Sequence, residues 1–367
     1  MNLYDFPSFL CRPALLPGEA LASFFVRLSI LNAYPSVNMI NHVTREYLPQ
    51  PDELTRPMYA ETYQVLQQLT KLTPFELYQA TPQLFAGIFS PPDHETAWLS
   101  LLHGERVPLL KTKFLQHHLW SSYNVCYCPL CLQESAYYRL VWLPRAASIC
   151  WAHRCLLVRC CQVCNHPLQV PDVVKRYCPR CHFDLSQAIT AALTGDSFGL
   201  FSQAMLLTWL GGSQEVSLSP ANELKDSGDN WAESIPRCPV AVLYHFVEAL
   251  QRTLFRVEPE WPYWHVPNGR FPEGNGKVSR LRTTTLTPEI SYILFATAFK
   301  TLVSWPDGFY EFLDFYQQRN GRPAKNYRAK DFGAVFSLCL ENRWASPCFQ
   351  FVQEAFNQYL MERRPLQ

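Results

Sequence analysis

The chain has 367 residues, enough for two or three domains of ordinary size, each with its own core. Lysine and arginine (32) nearly balance aspartate and glutamate (31), so no global field draws the molecule to nucleic acid or to a membrane surface. With 48% hydrophobic and 14% aromatic residues, a disordered chain is excluded.

The N-terminus, MNLYDFPSFLCRP, lacks a cationic start followed by an apolar run and does not read as a signal peptide. The two longest uncharged stretches, 114–133 and 197–214, carry histidine, serine, asparagine, glutamine or glycine and do not read as membrane spans. A cytoplasmic protein with no membrane partner is therefore expected.

From the N-terminus, Leu21, Phe24, Phe25, Leu28 and Leu31 follow helical spacing and predict a helix over about 18–32. Val65, Leu66, Leu69 and Leu72 make a second stripe. It stops at Thr73-Pro74-Phe75-Glu76, where a capping residue, a proline at the first position and a glutamate at the third open a third helix. Two short helices meeting so tightly form either a helix-turn-helix or a plain αα-corner, and spacing does not separate the two. Phe89–Pro92 reads as a loop, followed by a polar, His-rich connection to about Trp120.

Past the centre of the chain, Phe198–Leu210 reads as a buried helix and Gly211–Glu233 as a loop. Thr287-Pro288-Glu289 opens a further helix. Trp305-Pro306 closes it, Phe309, Phe312, Leu313 and Tyr316 mark the next, and Ser346-Pro347 opens the last.

Ten of the 14 cysteines lie between Cys126 and Cys181, and in a reducing compartment such a cluster reads as metal ligands rather than disulfides. Cys11, Cys238, Cys339 and Cys348 are scattered and are expected as small buried side chains. The cluster resolves into Cys128-x2-Cys131 with Cys150-x2-His153, and Cys161-x2-Cys164 with Cys178-x2-Cys181. Such pairs suit zinc, since one tight turn presents two soft donors and two turns close a tetrahedron. Pro129, Pro179 and Asn165-His166-Pro167 supply turn formers at these knuckles. Pairing in sequence order is the simplest choice, although Cys126, Cys155, Cys160, His166 and His182 lie near enough to substitute. Shells filled by protein donors make two structural ions rather than catalytic ones.

Enzymatic signatures lack their context. His103-Gly104-Glu105 before Cys128-x2-Cys131 mimics a nucleobase deaminase, but Tyr127 stands where proline is needed, and Cys150 and His153 are ready to take the position of the catalytic water. Gly274–Lys277 is not a phosphate-binding loop, and Gly195-Asp196-Ser197-Phe198-Gly199 has no buried strand before it. A free sequence-specific DNA-binding regulator would want Arg, Asn or Gln along a recognition helix; Glu76, Tyr78, Gln79 and Gln83 offer little.

Between Cys126 and Cys181, seven bases (Arg139, Arg145, Arg154, Arg159, Lys175, Arg176, Arg180) face two acids (Glu134, Asp172), an excess of 7 − 2 = +5. That excess either offsets metal-bound thiolates or meets nucleic acid. A second basic run carries Arg319, Arg322, Lys325, Arg328 and Lys330 with Tyr327. It either tracks a phosphate backbone while Tyr327 stacks on a base, or is a solvated loop.

Arg12-Pro13, then Pro17-Gly18-Glu19-Ala20-Leu21 with Ser23, Arg27 and Leu28, resembles the N-terminal signature of the TniQ/TnsD family of bacterial transposon target-selection proteins. The site at Cys128, Cys131, Cys150 and His153 is similar to that family's zinc finger. Trp305-Pro306-Asp307-Gly308-Phe309 with Phe312-Leu313 resembles its C-terminal helical domain. The resemblance spans nearly the full chain. It implies a mainly α fold: an N-terminal helical domain with a helix-turn-helix (1–120), a tandem zinc-finger and zinc-ribbon module (121–190) and a C-terminal helical domain (191–367).

It further implies a non-catalytic adaptor that marks an insertion site on DNA and passes the mark to an AAA+ ATPase regulator, and through it to the transposase. The corner at Thr73–Tyr78 would then serve recognition or docking. In one branch of the family the protein sits, often as a dimer, on a CRISPR RNA-guided surveillance complex; in the other, TnsD-like branch it reads a fixed attachment sequence directly. Near-neutral charge and fewer than 190 residues after the ribbons favour the RNA-guided branch.

Overall fold

A computed structural model describes residues 9–48, 50, 52–86, 97–101, 106–109, 125–144, 146–210, 240–254, 265, 287–319, 332 and 347–362. The fold is mainly helical, as expected, with two short two-stranded hairpins among the described residues. The chain divides into two compact units.

The first unit contains the helical N-terminal region and the Cys-rich segment together, to residue 192. Helix α1 (Leu21–Leu31) and α2 (Val37–Arg45) are followed by α3 (Ala60–Thr70) and α4 (Pro74–Gln79). A left-handed Lys71 (φ 67°) ends α3. Two residues later Thr73 caps α4: its Oγ1 accepts from the Glu76 amide at 3.2 Å, and the Glu76 carboxylate accepts from the Thr73 amide at 2.7 Å. The corner read from the sequence is present, but α4 has only six residues, of which Phe75 and Glu76 are exposed and none is basic. Strands β1 (Ala97–Ser100) and β2 (Arg106–Leu109) pair antiparallel. The Tyr78 hydroxyl reaches the carbonyl oxygens of Gln83 and Pro108 at 2.9 and 3.0 Å, tying the hairpin to the corner. Phe24, Phe25, Leu28, Ile40, Tyr63, Leu66, Leu69, Leu77 and Val107 share one core.

Helix α1 is apolar on more than one side because it is covered on more than one side. Phe24, Phe25 and Leu28 enter that core, whereas Val26, equally buried, does not belong to it. The helix also packs on α6 (Val170–Lys175) of the Cys-rich segment. At its N-terminus the segment Pro17–Leu21 pairs with Tyr137–Leu140. Ala20 donates to the Tyr138 carbonyl (2.9 Å), Leu140 to the Gly18 carbonyl (2.8 Å), and the Tyr137 hydroxyl to the Pro17 carbonyl (2.9 Å).

Glu19, Ser23 and Arg27, spaced by four, line one side of this junction. Glu19 is buried; its carboxylate accepts from the Leu16 amide (3.1 Å), the Ser23 hydroxyl (2.8 Å) and the Arg27 guanidinium (2.5 Å). Ser23 in turn accepts from the Tyr138 amide at 3.0 Å. Burial pushes the Glu19 carboxyl up, and the three donors pull it back.

The second unit has α7 (Ser197–Trp209), α8 (Val240–Leu254), α9 (Pro288–Val303), α10 (Asp307–Arg319) and α11 (Gln350–Glu362). Thr287 caps α9 through the Ile290 amide, as its sequence predicts. Helix α9 is central, packed against α7, α8 and α10 and buried almost all round. Its Thr297 and Thr301 return their hydroxyls to the carbonyls of Ile293 and Ala298. Trp305 stacks on Phe309 (5.1 Å) and meets Phe351 at the same centroid distance. The Gly195–Gly199 stretch is the entry to α7: Asp196 accepts from the Gly199 amide (2.9 Å), the Tyr292 hydroxyl (2.7 Å) and His265 Nε2 (2.7 Å). A Cβ on Gly199 would fall 1.9 Å from the Tyr292 oxygen, so close helix approach explains this glycine.

Two small expectations need correction. Cys11 is exposed rather than buried, because the Asn32 amide exchanges hydrogen bonds with its backbone N–H (3.0 Å) and C=O (2.7 Å) and holds it at the surface. Cys348 is only half-buried, lying in the short 3₁₀ turn Pro347–Phe349 that turns Phe349 inward instead. Cys238, Cys339, the loops at 89–92 and 211–233, His103, Glu105 and Gly274–Lys277 lie outside the described residues.

Replacing Glu19 with Ala removes the acceptor of three donors and strands a partly buried guanidinium. Equilibrium denaturation should show a loss of about 3–5 kcal/mol, toward the lower end because Arg27 keeps one-fifth of its side-chain surface in water. An unchanged unfolding midpoint would remove the clamp from the account.

Candidate metal centres

The Cys-rich segment builds two donor clusters by different local devices. In the first, Cys128 is the N-cap of α5 (Pro129–Glu134), with Pro129 at the first helical position, so Cys128 and Cys131 lie on one turn. Cys150 and His153 come from a hairpin, β3 (Ile149–Cys150) and β4 (Cys155–Leu156), whose connecting turn ends on left-handed Arg154 (φ 47°).

In the second, one device occurs twice. The Asn165 amide donates to the Cys161 carbonyl and the Cys161 amide to the His166 carbonyl; the His182 amide donates to Cys178 and the Cys178 amide to Phe183. The residue after each second cysteine, Asn165 and His182, is left-handed (φ 54° and 57°). Bridges Cys160↔Pro167 and Tyr177↔Asp184 close both knuckles at matching positions.

Each set places four donor atoms within 4.8 Å of one another: Cys128, Cys131, Cys150 and His153 in one, Cys161, Cys164, Cys178 and Cys181 in the other. Metal–sulfur bonds of about 2.3 Å and a metal–nitrogen bond of about 2.0 Å require tetrahedral edges of about 3.8 Å between sulfurs and about 3.5 Å from sulfur to nitrogen. The His153 Nδ1 stands 3.6, 3.3 and 3.5 Å from the sulfurs of Cys128, Cys131 and Cys150. Cys131–Cys150, Cys161–Cys181 and Cys164–Cys178 are 3.5, 3.4 and 3.6 Å apart. Both tetrads can thus hold one ion each with no position left for water.

Thiols this close cannot all ionise alone. Holding its proton toward the Cys128 sulfur lifts Cys150 to about 12. The Phe183 amide pulls Cys181 down, yet burial and the neighbouring sulfurs push it up to about 12. Burial also raises Cys178, but the amides of Cys181 and Arg180 bring it to about 7.

Outside the ligands, His153 Nε2 lies 3.0 Å from Glu134 Oε1. With Nε2 as the donor, the imidazole is fixed with a free Nδ1 lone pair facing the sulfurs, the usual carboxylate–histidine–metal arrangement. Sequence reading missed Glu134, because a single acid in the turn after a CxxC carries no pattern. Of the substitutes considered, Cys155 is buried with its sulfur 3.7 Å from that of Cys128. His166 and His182 instead serve the knuckles with their backbones.

The surrounding bases are mostly engaged. Arg139 lies over Tyr137 and Trp142, Arg154 over Trp151, and Arg176 binds Asp184 and Ser186. Burial lowers Arg159. Lys175 and Arg180 are exposed without an ion pair among the described residues, and Arg145 lies outside them. The other basic run is also outside: the backbone of Arg319 ends α10, its side chain is not described, and Arg322, Lys325, Tyr327, Arg328 and Lys330 fall beyond the described residues.

Cys128→Ser and Cys164→Ser should each lower bound metal by one equivalent per chain, measured by elemental analysis. Glu134→Gln should weaken the first site by roughly tenfold in chelator competition and leave the second unchanged. Because ligand thiols must shed protons to bind, acidification returns protons to the sulfurs. Metal-linked stability is therefore full at neutral pH and falls as pH drops, which metal release followed by a chromogenic chelator will register.

Residues 10–157 match the family model TniQ. The match takes in α1 to α5, both hairpins and the whole first tetrad, and stops before the second. No curated protein matches the chain.

Proposed function

We propose that this chain, which belongs to the TniQ family, is a non-catalytic target-selection adaptor of a bacterial DNA transposon. It joins a CRISPR RNA-guided surveillance complex at the target site to an AAA+ ATPase regulator and, through it, to the transposase. The observation that carries the non-catalytic part is the closure of both tetrads by protein donors. A metal that acts on substrate keeps a coordination position for it.

Zinc is the ion this donor set favours. Seven cysteine sulfurs and one imidazole, in two tetrahedral sets, match its preference for soft ligands. When bound, it supplies folding energy on the order of 10 kcal/mol per site. Around it the chain's own residues divide the labour: Glu134 orients His153, and the Glu19–Ser23–Arg27 clamp fastens the Cys-rich segment to α1.

The corner of α3 and α4 supports delegated recognition. A six-residue helix whose exposed side chains are Phe75 and Glu76, with Gln79 half-buried, has little to read a base edge and no cation to attract phosphate. An aromatic beside an acid suits a protein partner better. The direct, TnsD-like reader of a fixed attachment site is the competing member of the same family.

The test is co-purification. Tagged full-length chain should retain the subunits of its guide complex when the guide RNA is present, lose them after nuclease treatment, and bring down the ATPase with or without RNA. The purified chain alone should hydrolyse no ATP above background. Tight binding of one duplex by the chain alone, in excess competitor DNA and without RNA, would replace this reading with the direct one.

A further inference from the structure

The first tetrad has a neighbouring thiol. Cys155 opens β4 and is the direct cross-strand partner of the ligand Cys150 in the β3–β4 hairpin. Opposed residues of an antiparallel pair project to the same face, so the backbone that aims Cys150 at the site aims Cys155 the same way. Cys155 is 2% exposed, and its sulfur stands 3.7 Å from that of Cys128, one tetrahedral edge away. It is not among the four donors that all lie within 4.8 Å of one another. The site therefore has four ligands in place and a fifth sulfur adjoining one of them.

The ligand nearest to water is His153. Its side chain is 18% exposed and anchored from outside by Glu134, itself 61% exposed, whereas Cys128, Cys131 and Cys150 are buried. A ligand that water and competing chelators reach first is the one that leaves first.

We propose that Cys155 is a reserve ligand of the first metal centre, replacing His153 and converting a three-sulfur, one-nitrogen shell into four sulfurs. In that exchange the metal–Nδ1 bond breaks and a metal–Sγ bond forms, and the thiol proton of Cys155 passes to water. The inference rests on the first tetrad holding a metal, and the second tetrad serves as an internal control.

Full-length chain is loaded with Co2+ in place of Zn2+, whose sulfur-to-cobalt charge-transfer absorbance grows with the number of bound thiolates. Wild type should bind two equivalents with seven sulfur ligands. His153→Ala should still bind two and show an absorbance rise of one-seventh, to eight sulfurs. His153→Ala with Cys155→Ala should lose that rise, together with tight binding at the first site. A His153→Ala spectrum with no added sulfur, or identical with and without Cys155, overturns the proposal. Wild type binding fewer than two equivalents overturns it along with the tetrad assignment. Since His153→Ala can fail to fold, Cys155→Ala alone provides a second measure. It keeps all four first-site ligands yet should release that metal to a chelator roughly tenfold faster than wild type. Equal release rates would exclude the reserve ligand even if the His153 variant is lost.

Discussion

Seven cysteine sulfurs gathered at separations of one tetrahedral edge, most of them out of water, cannot coexist as anions unless a cation sits among them. That constraint organises the first unit. The segment around the sulfurs forms two-residue strands, three-residue 3₁₀ turns and six-residue helices, elements too short to hold themselves together. The left-handed turns at Arg154, Asn165 and His182 fix where three of the four donor pairs point, and α5 fixes the fourth. One metal ion at each tetrad would give its turns a common centre, and the hydrophobic core supplies the rest.

The Glu19 clamp carries that order outward. It lies between a helix whose core-facing side chains belong to the N-terminal region and a strip, Tyr137–Leu140, that follows the first knuckle directly. A buried carboxylate with three donors is a demanding contact, since each partner is costly to leave unpaired. It also explains why the helical region and the Cys-rich segment form one unit, although composition invites a boundary near residue 120. The resemblance signature Pro17–Leu21, with Ser23 and Arg27, is the N-terminal half of this junction. Its residues make contacts within the fold, not a surface for reading a target.

Features that announce themselves locally were legible in the sequence. The caps at Thr73 and Thr287, the apolar stripe of α1 and the paired knuckles each depend on residues a few positions apart. Others depend on partners far along the chain. Helix α2 fully buries only Ile40 and Thr44 of its nine residues, with Val37 and Val43 packed on the core from its edge, so its stripe is periodic but short, and sequence reading missed it. Helix α8 buries polar His245, Glu248, Gln251 and Thr253 along with its apolar residues, a burial that the residue types do not announce. The pairing of Cys150 with Cys155 is a matter of hairpin register, and the Glu134–His153 contact spans 19 residues. The left-handed residues after the knuckles were half-visible: Asn165 and His182 are of types familiar in that region, Arg154 is not.

The double covering of α1 has a consequence for how the protein is made. Its residues leave the ribosome at positions 21–31, but α6, which packs on it, is not complete until position 175. At about 5–20 residues per second, the helix waits roughly 7–30 s for the segment that packs on it. Final burial of the first-made helix is thus timed by the last-made ribbon, and a cell short of metal would accumulate nascent chains with an apolar flank open to chaperones and proteases.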